Sequence, residues 1–572
     1  MKTLWRALFV VLICNVSHAA PLSLRGIPVA DVRGAIGDIA TSLPVVADVV
    51  AGASQVLSVD LAAARARNAK NPETFAAQVR PSSAVTPQTH GAWGQIGSRA
   101  VWSHRIDIPG ATSVSFIARS FRLPADTFLT IRGSSGSFAY GTADDRKGYL
   151  VSRIVSGSFM ELEIDGPSSL LEVKESVALT IDRFQAGFRR PDDPQQRSYD
   201  GAPAASPKAA DQSDGTMDTS DEVLADGGRC FVNYQCRKGE SAEIRSGGRS
   251  TVHVLVDNVS QCSGTLINNK KADLKPYVLL ASHCASGDGD PTYGSDALSN
   301  AKAPLMSFYW ENESLCGEAY RSGILISNPE TNPNTKSSFG ATHKARYGDS
   351  WLVLADDPPP ENVDAFWSGW DATDPAAAAG SFVVHHANGF RKQFARSTGA
   401  LTKTMHPELG GEATYFVEWE NPVEGLVDVG ASGSGLRDST GNLIGVLSFG
   451  TSGGCFPEGS RFDEHYFSRF AAFFAGDGTP AHSGKSWLDP DNTGALTQSG
   501  IADPVREFPL SVSLTSAPTT SATPGQSLDL TWNTVNADAC SATGSWAGVK
   551  TVANTGEQSE QFVLPLASGN YT

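Results

Sequence analysis

Cys262-Ser263-Gly264-Thr265-Leu266-Ile267-Asn268 and Pro276-Tyr277-Val278-Leu279-Leu280-Ala281-Ser282-His283-Cys284 decide how this chain is read. The second stretch is a short apolar run, bounded by Pro276 at one end and by a polar residue, a histidine and a cysteine at the other. Such a run predicts a buried strand. His283 sits where that strand ends, and each stretch carries one cysteine. A histidine there could be a satisfied structural residue. The two flanking cysteines weigh against that reading.

Downstream, Asp428-Val429-Gly430-Ala431-Ser432-Gly433-Ser434-Gly435 puts a serine between glycines just before a strand-like run. A nucleophilic serine needs a tight loop that exposes its Oγ and aims backbone N–H groups at a developing oxyanion. Alone the motif is weak, because Gly/Ser-rich turns are common. Between them, Tyr347-Gly348-Asp349-Ser350-Trp351-Leu352-Val353-Leu354 places an acid before an apolar strand. A triad needs a carboxylate on the distal imidazole nitrogen, to hold the tautomer and stabilise the imidazolium. Asp356 and Asp357 are nearby alternatives, but they lie past the strand.

The strand beginning Cys-Ser-Gly-Thr-Leu-Ile and the strand ending Ala-Ser-His-Cys together resemble the chymotrypsin-like serine peptidases. The order His283, Asp349, Ser432 is also theirs. The block from Cys230 to Ala495 resembles bacterial lysyl endopeptidases in particular. The resemblance rests on Cys230-Phe231-Val232-Asn233-Tyr234-Gln235-Cys236, Phe308-Tyr309-Trp310, Phe366-Trp367-Ser368-Gly369-Trp370-Asp371, Val384-His385-His386-Ala387-Asn388-Gly389 and Trp487-Leu488-Asp489-Pro490. It implies a double β-barrel peptidase domain with His283, Asp349 and Ser432 as catalytic residues. The backbone N–H groups of Gly430 and Ser432 would form the oxyanion hole. It also implies the disulfides Cys230–Cys455, Cys236–Cys316 and Cys262–Cys284. Trypsins carry a pocket Asp six residues before the serine; Leu426 stands there in this chain. Lysyl endopeptidases carry their pocket acid in an Arg-x-Asp segment, which points to Asp463 in Arg461-Phe462-Asp463. Ser448 stands where they have a histidine beside the pocket, so it is a candidate substrate-binding residue. Ala431 replaces the Asp that pairs with a new amino terminus in chymotrypsins, so activation of that type is not expected. Adjacent histidines on a strand point to opposite faces, so His385 and His386 are read as structural or substrate-lining, and no metal is expected.

Working outward, Cys230, Cys236, Cys262, Cys284, Cys316 and Cys455 fall in one stretch, with Cys14 and Cys540 outside it. An even set in an exported domain reads as disulfides. Met1 to Arg6 carries two positive charges, Ala7 to Val16 is largely apolar, and Ser17-His18-Ala19 suits a signal peptidase. Residues 1–19 are therefore expected to be a signal peptide, and the bulky Ile13 before Cys14 argues against a lipoprotein. No later segment of about 18 apolar residues exists to anchor the mature chain.

Residues 20–208 are expected to be a β-rich propeptide with an exposed linker at its end. Val29 to Ala64 is Ala/Val-rich and is expected to be helical. Alternating runs follow at 113–117, 128–131, 160–164 and 177–181. Gly187 to Asp226 is rich in Pro, Asp, Ser and Gly, a composition that buries little. Lys208 is the expected processing site. Residues 209–502 form the peptidase domain, where Tyr466 to Phe474 is the one convincing helical stretch. Residues 503–572 read as a linker and a partial immunoglobulin-like module, in which Leu528 to Trp532 alternates and Cys540 has no partner in view.

The fold class expected is mainly β. The 572 residues carry a formal net charge of -16, which argues against nucleic acid. The expected partners are protein or peptide substrates and the chain's own propeptide. A monomer without cofactor, secreted to the periplasm or the medium, completes the expectation. Two alternatives fit the same residues: a serine peptidase with another preference at the residue before the cleaved bond, and an inactive secreted binding protein on the same scaffold. Loss of a triad residue would favour the second, and none is lost.

Overall fold

The protein is described by a computed structural model. It describes residues 54–68, 73–189, 232–286, 294–311 and 336–503, apart from gaps at 135, 145–147, 362, 377–379, 398, 406–411, 420–424 and 453–462, together with short strands at 12–13, 27–28, 511–517, 527–535, 540–542, 548–550 and 558–563. The chain divides into two compact units, one holding 23–360 and 365–502, the other holding 1–22, 361–364 and 503–572.

Within the first unit, residues 54–189 form two sheets. One contains β1 (Ala76–Val79), β3 (Ser113–Arg122) and β6 (Ala178–Gly187); the other contains β2 (Arg99–Asp107), β4 (Phe128–Gly133) and β5 (Phe159–Pro167). Trp102, Ile106 and Ile164 from the second sheet meet Phe116, Ile181 and Phe184 from the first in one shared apolar core. The alternating runs at 113–117, 128–131 and 160–164 lie in strands, and the fourth does so from Ala178 onward. The helix expected over Val29–Ala64 is corrected where the chain is described. Ser54–Val56 is a strand lying parallel to β2, and the helix α1 covers Leu61–Arg67. Asp60 supplies its amino-terminal cap by accepting the Ala63 N–H at 2.8 Å.

The cysteine-rich block supplies β7 (Thr251–Val256), β8 (Ser260–Ile267) and β9 (Tyr277–Ala281), continuing through β10 (Met306–Tyr309), β11 (Ser337–Phe339), β12 (Ala341–Tyr347) and β13 (Ser350–Ala355). These form one antiparallel sheet in the order β11-β10-β7-β8-β9-β13-β12. β7, β8 and β9 are buried along their whole length, which is why they read as continuous runs rather than alternating ones.

The second sheet is built from β14 (Phe382–His385), β15 (Gln393–Arg396), β16 (Thr402–Met405), β17 (Ala413–Glu418), β18 (Gly435–Arg437), β19 (Leu443–Ser452) and β20 (Asp463–Arg469), in the order β15-β14-β18-β19-β20-β17-β16. Its core gathers Val383, Leu426, Leu436, Leu447 and Phe467. Two antiparallel sheets in succession give the mainly β, chymotrypsin-like architecture expected.

The helix expected over Tyr466–Phe474 is corrected: Tyr466–Arg469 belongs to β20, and only Phe470–Ala475 is helical, as α2. β20 is central, pairing with β19 on one side and β17 on the other. Two ladders of backbone hydrogen bonds outweigh a local pattern that suits a helix. Sequence reading also passed over a helix at Ala242–Ser250, although Ser241 caps it by accepting the Ile244 N–H. In the second unit, Ser511–Ala517, Ser527–Val535 and Gln558–Val563 form an antiparallel sheet in which Leu530 and Trp532 are buried.

Cys262 on β8 and Cys284 beyond β9 are bonded, closing a loop with a sequence separation of 22. Cys236 is also disulfide-bonded. Its expected partner Cys316, and both Cys230 and Cys455, lie outside the described residues. Replacing Cys262 and Cys284 together by Ala is expected to destabilise the protein by about 3 kcal/mol through lost loop constraint. Urea unfolding followed by tryptophan fluorescence checks this, with the midpoint moving to lower denaturant.

Candidate active site

The site lies where the two sheets meet. β9 ends at Ala281, and His283 opens the short helix His283–Ser286 that follows. Asp349 occupies the turn between β12 and β13 and is fully buried. β9 and β13 are paired neighbours, with Ala281 opposite Ser350. That register holds the histidine and the aspartate side by side. The Ser282 N–H donates to the Asp349 carbonyl at 2.9 Å. The His283 backbone N–H donates to Asp349 Oδ1 at 2.8 Å, and His283 Nδ1 lies 2.7 Å from Oδ2. A carboxylate only accepts, so Nδ1 carries the proton and Nε2 faces away from Asp349.

Ser432 arrives from the other sheet, in the loop before β18. Its carbonyl accepts the Ser263 N–H at 2.8 Å, and the Ser263 hydroxyl donates to the Gly430 carbonyl at 3.0 Å. Gly433 has φ +85°, and a Cβ there would lie 2.3 Å from the Ser263 carbonyl oxygen. Only glycine lets the serine loop approach β8 so closely. Gly430 also has a positive φ.

Glu73, from the chain just before β1, also enters this centre. The Ser432 hydroxyl donates to Glu73 Oε1, and His283 Nε2 lies 3.5 Å from the same oxygen. The Gly430 N–H also hydrogen-bonds this carboxylate. Burial pulls His283 down, but Asp349 and Glu73 outweigh it and hold the imidazole well above its usual range. Burial raises Glu73, yet its bonds with His283, Ser432 and Gly430 hold it below the usual carboxylate value.

Ser448, expected beside the pocket, directs its hydroxyl to Asp349 Oδ2 at 2.6 Å. Glu412 accepts the Asp349 N–H at 3.0 Å. Burial and the adjacent Asp349 charge push Glu412 up to about 7. Asp463 opens β20 opposite Ser452, and its side chain lies outside the described residues. Leu426 is packed in the core of the second sheet.

His385 and His386 are both buried. The ring of His386 stacks on His253 at 4.8 Å, and its Nδ1 lies 2.9 Å from the Phe390 carbonyl oxygen. Burial lowers His385 to about 3 and His253 to about 3, so both stay neutral inside the protein. Among the described residues, no cluster of His, Cys, Asp and Glu could hold a metal ion.

Glu73, Glu412 and the Ser448–Asp349 bond escaped the sequence reading. Glu73 is 359 positions from Ser432, and nothing in Pro72-Glu73-Thr74 marks it. Glu412 sits in a glycine-flanked approach to a strand, with no motif around it.

Residues 224–467 match the family described as lysyl endopeptidase, C-terminal domain. This block is lysyl endopeptidase-like. A curated relative, the lysyl endopeptidase of Pseudomonas aeruginosa, is 25% identical over 258 residues, covering 43% of this chain and 50% of the relative. The chain thus spans half the length of that relative. Solved structures similar to it include human heparin binding protein, 14% identical with a TM-score of 0.27, covering 43% of this chain and 93% of that one. Another is a Glu endopeptidase in complex with MPD, 13% identical with a TM-score of 0.24, covering 39% of this chain and 86% of that one.

The ion pair between His283 and Glu73 has a definite pH window. The raised imidazole contributes fully below the usual histidine value of 6.5 and loses its contribution as pH rises through its elevated value. The depressed carboxylate contributes above the usual 4.5 and loses its contribution as pH falls through its lowered value. Glu73→Gln removes one of the two charges that raise His283. Nitrogen-15 histidine NMR of the full chain should therefore show His283 titrating at lower pH in the variant, and an unchanged titration would contradict this geometry.

Proposed function

We propose that this chain is the precursor of an exported serine endopeptidase that cleaves on the carboxyl side of lysine, with His283, Asp349 and Ser432 as its catalytic triad. The observation that carries the reading is the pairing of His283 Nδ1 with the buried Asp349 carboxylate at 2.7 Å, in the same centre as the Ser432 hydroxyl. The match of residues 224–467 to the lysyl endopeptidase family supports it.

In this reading the Ser432 hydroxyl attacks the scissile carbonyl while His283 Nε2 takes its proton. Asp349 stabilises the imidazolium and fixes its orientation, and Ser448 and the His283 backbone N–H hold Asp349 in turn. The backbone N–H groups of Gly430 and Ser432 receive the oxyanion. As the tetrahedral intermediate collapses, His283 returns the proton to the leaving amine. Water then hydrolyses the acyl-enzyme by the same relay.

A lysine ammonium taken into a pocket needs a carboxylate partner. Leu426 is apolar and buried, so the trypsin solution is closed, and Asp463 is the candidate acid. Residues 20–208 are the propeptide in this reading, cleaved at Lys208. Residues 1–19 direct export to an oxidising compartment, where disulfides such as Cys262–Cys284 form.

Matched fluorogenic peptides with Lys, Arg, Ala or Glu before the cleaved bond provide the test, using processed protein. Hydrolysis is expected with Lys and lost in Ser432→Ala by about 10,000-fold or more. Asp463→Ala is expected to lower kcat/KM for Lys by about 100-fold while leaving the Ala peptide nearly unchanged. Activity that requires Ser432 but is indifferent to Lys would retain the peptidase and remove the lysine specificity.

A further inference from the structure

The contact between Glu73 and the catalytic centre is surrounded by a continuous interface. The Glu73 carbonyl accepts the Gln261 N–H at 3.1 Å, and the Phe75 N–H donates to the Val259 carbonyl at 2.9 Å. Thr74 forms an antiparallel bridge with Ser260 between them. Residues 73–75 thus add to the edge of the strand that leads into Cys262. The Arg189 guanidinium grips the Thr74 carbonyl at 2.8 and 3.1 Å, fixing the strand from its own side.

Farther out, the Gln78 amide and the Lys302 ammonium converge on Asp257 at 2.5 and 2.8 Å. Asn258 donates to the Ser152 carbonyl at 2.8 Å. Phe75, Ala76 and Ile154 pack with Leu255 and Tyr309 in one buried cluster. Arg153 lies over the Phe339 ring, 4.5 Å from its centroid.

We propose that this face of the peptidase block is a binding surface for the 54–189 segment as a separate partner after cleavage, and that Glu73 is the residue by which the bound segment inhibits. The proposal rests on the peptidase reading above.

The chemistry of the contact explains why it is stable. One carboxylate oxygen takes the Ser432 hydroxyl proton in a hydrogen bond and faces His283 Nε2, while the Gly430 N–H also reaches the carboxylate. Glu73 therefore puts negative charge where the reaction develops an oxyanion. It presents no bond to cut, because a carboxylate is a poor electrophile and has no amine to expel. The occupant is a side chain, and the Glu73 peptide group is engaged instead with Gln261. All the described anchors lie between 73 and 189, before the expected cleavage at Lys208, so a cut there leaves every one of them in place.

The test uses the full chain and a fluorophosphonate that labels an accessible, activated serine. Wild type, Glu73→Ala, Glu73→Gln and Ser432→Ala are compared before and after limited proteolysis that degrades residues 54–189. Labelling of the uncut wild type is expected to be slow. Glu73→Ala is expected to speed it by about tenfold or more, the equivalent of at least one charge-assisted hydrogen bond. Glu73→Gln keeps the length of the side chain and is expected to fall between. As a second arm, the wild-type 54–189 segment added to proteolysed enzyme is expected to suppress labelling, and the Glu73→Ala segment to do so at least tenfold less well.

If proteolysis releases labelling but Glu73→Ala matches wild type in both arms, the role of Glu73 is overturned and the peptidase reading stands. If the segment fails to suppress labelling in trans at all, the binding surface is overturned. If no form labels in excess of Ser432→Ala, the peptidase reading itself fails and this proposal falls with it.

Discussion

Everything in the candidate site depends on one buried carboxylate. Asp349 is wholly removed from solvent, and a carboxylate in that position is tolerated only if its lone pairs are satisfied. They are satisfied by the His283 backbone N–H, the His283 imidazole and the Ser448 hydroxyl. Two of the three donors belong to one residue. Burial of the acid therefore sets both the position and the tautomer of the histidine. The pairing of β9 with β13 puts backbone and ring in reach together, and the Cys262–Cys284 bond ties the turn after β9 to β8.

Glu412 adds a second carboxyl to this arrangement. It accepts the Asp349 N–H and is pushed up to about 7 by burial and by the Asp349 charge. Two carboxylates cannot both ionise cheaply in a shared dry site. Asp349 has hydrogen-bond donors on both oxygens, and Glu412 accommodates the pair by holding its proton toward neutral pH. The serine loop is governed by a different constraint, steric rather than electrostatic. Gly433 brings backbone against β8 with no room for a side chain.

Legibility in the sequence followed the range of the interactions. The strands around His283 were readable because a fully buried strand is a continuous apolar run, and β7, β8 and β9 are buried on both faces. The loop that carries Ser432 stood out by its glycines, and the turn at Asp349 by the apolar strand behind it. Tyr466–Arg469 misled because its aromatic spacing suits a helix as well as a strand, and only the partners β17 and β19 decide between them. Ser448 looked like a pocket residue because its position in the family pattern lies beside the pocket; which way its hydroxyl turns depends on where Asp349 sits. Glu73 carried no local signal, since its meaning comes entirely from a fold that joins residues far apart in sequence.

That separation has a kinetic consequence. While Glu73 and Ser432 belong to one uncut chain, the carboxylate meets the centre as an intramolecular neighbour, and occupancy is the same in a dilute as in a concentrated solution. Once the connection is severed, the same contact becomes bimolecular, and its occupancy falls with dilution according to an ordinary dissociation constant. In the proposed reading, a cut far from the candidate site would thus change the order of the reaction that blocks it, and volume would become the variable that governs release. A protein leaving a confined compartment for an open one would cross that threshold without any change in its own conformation.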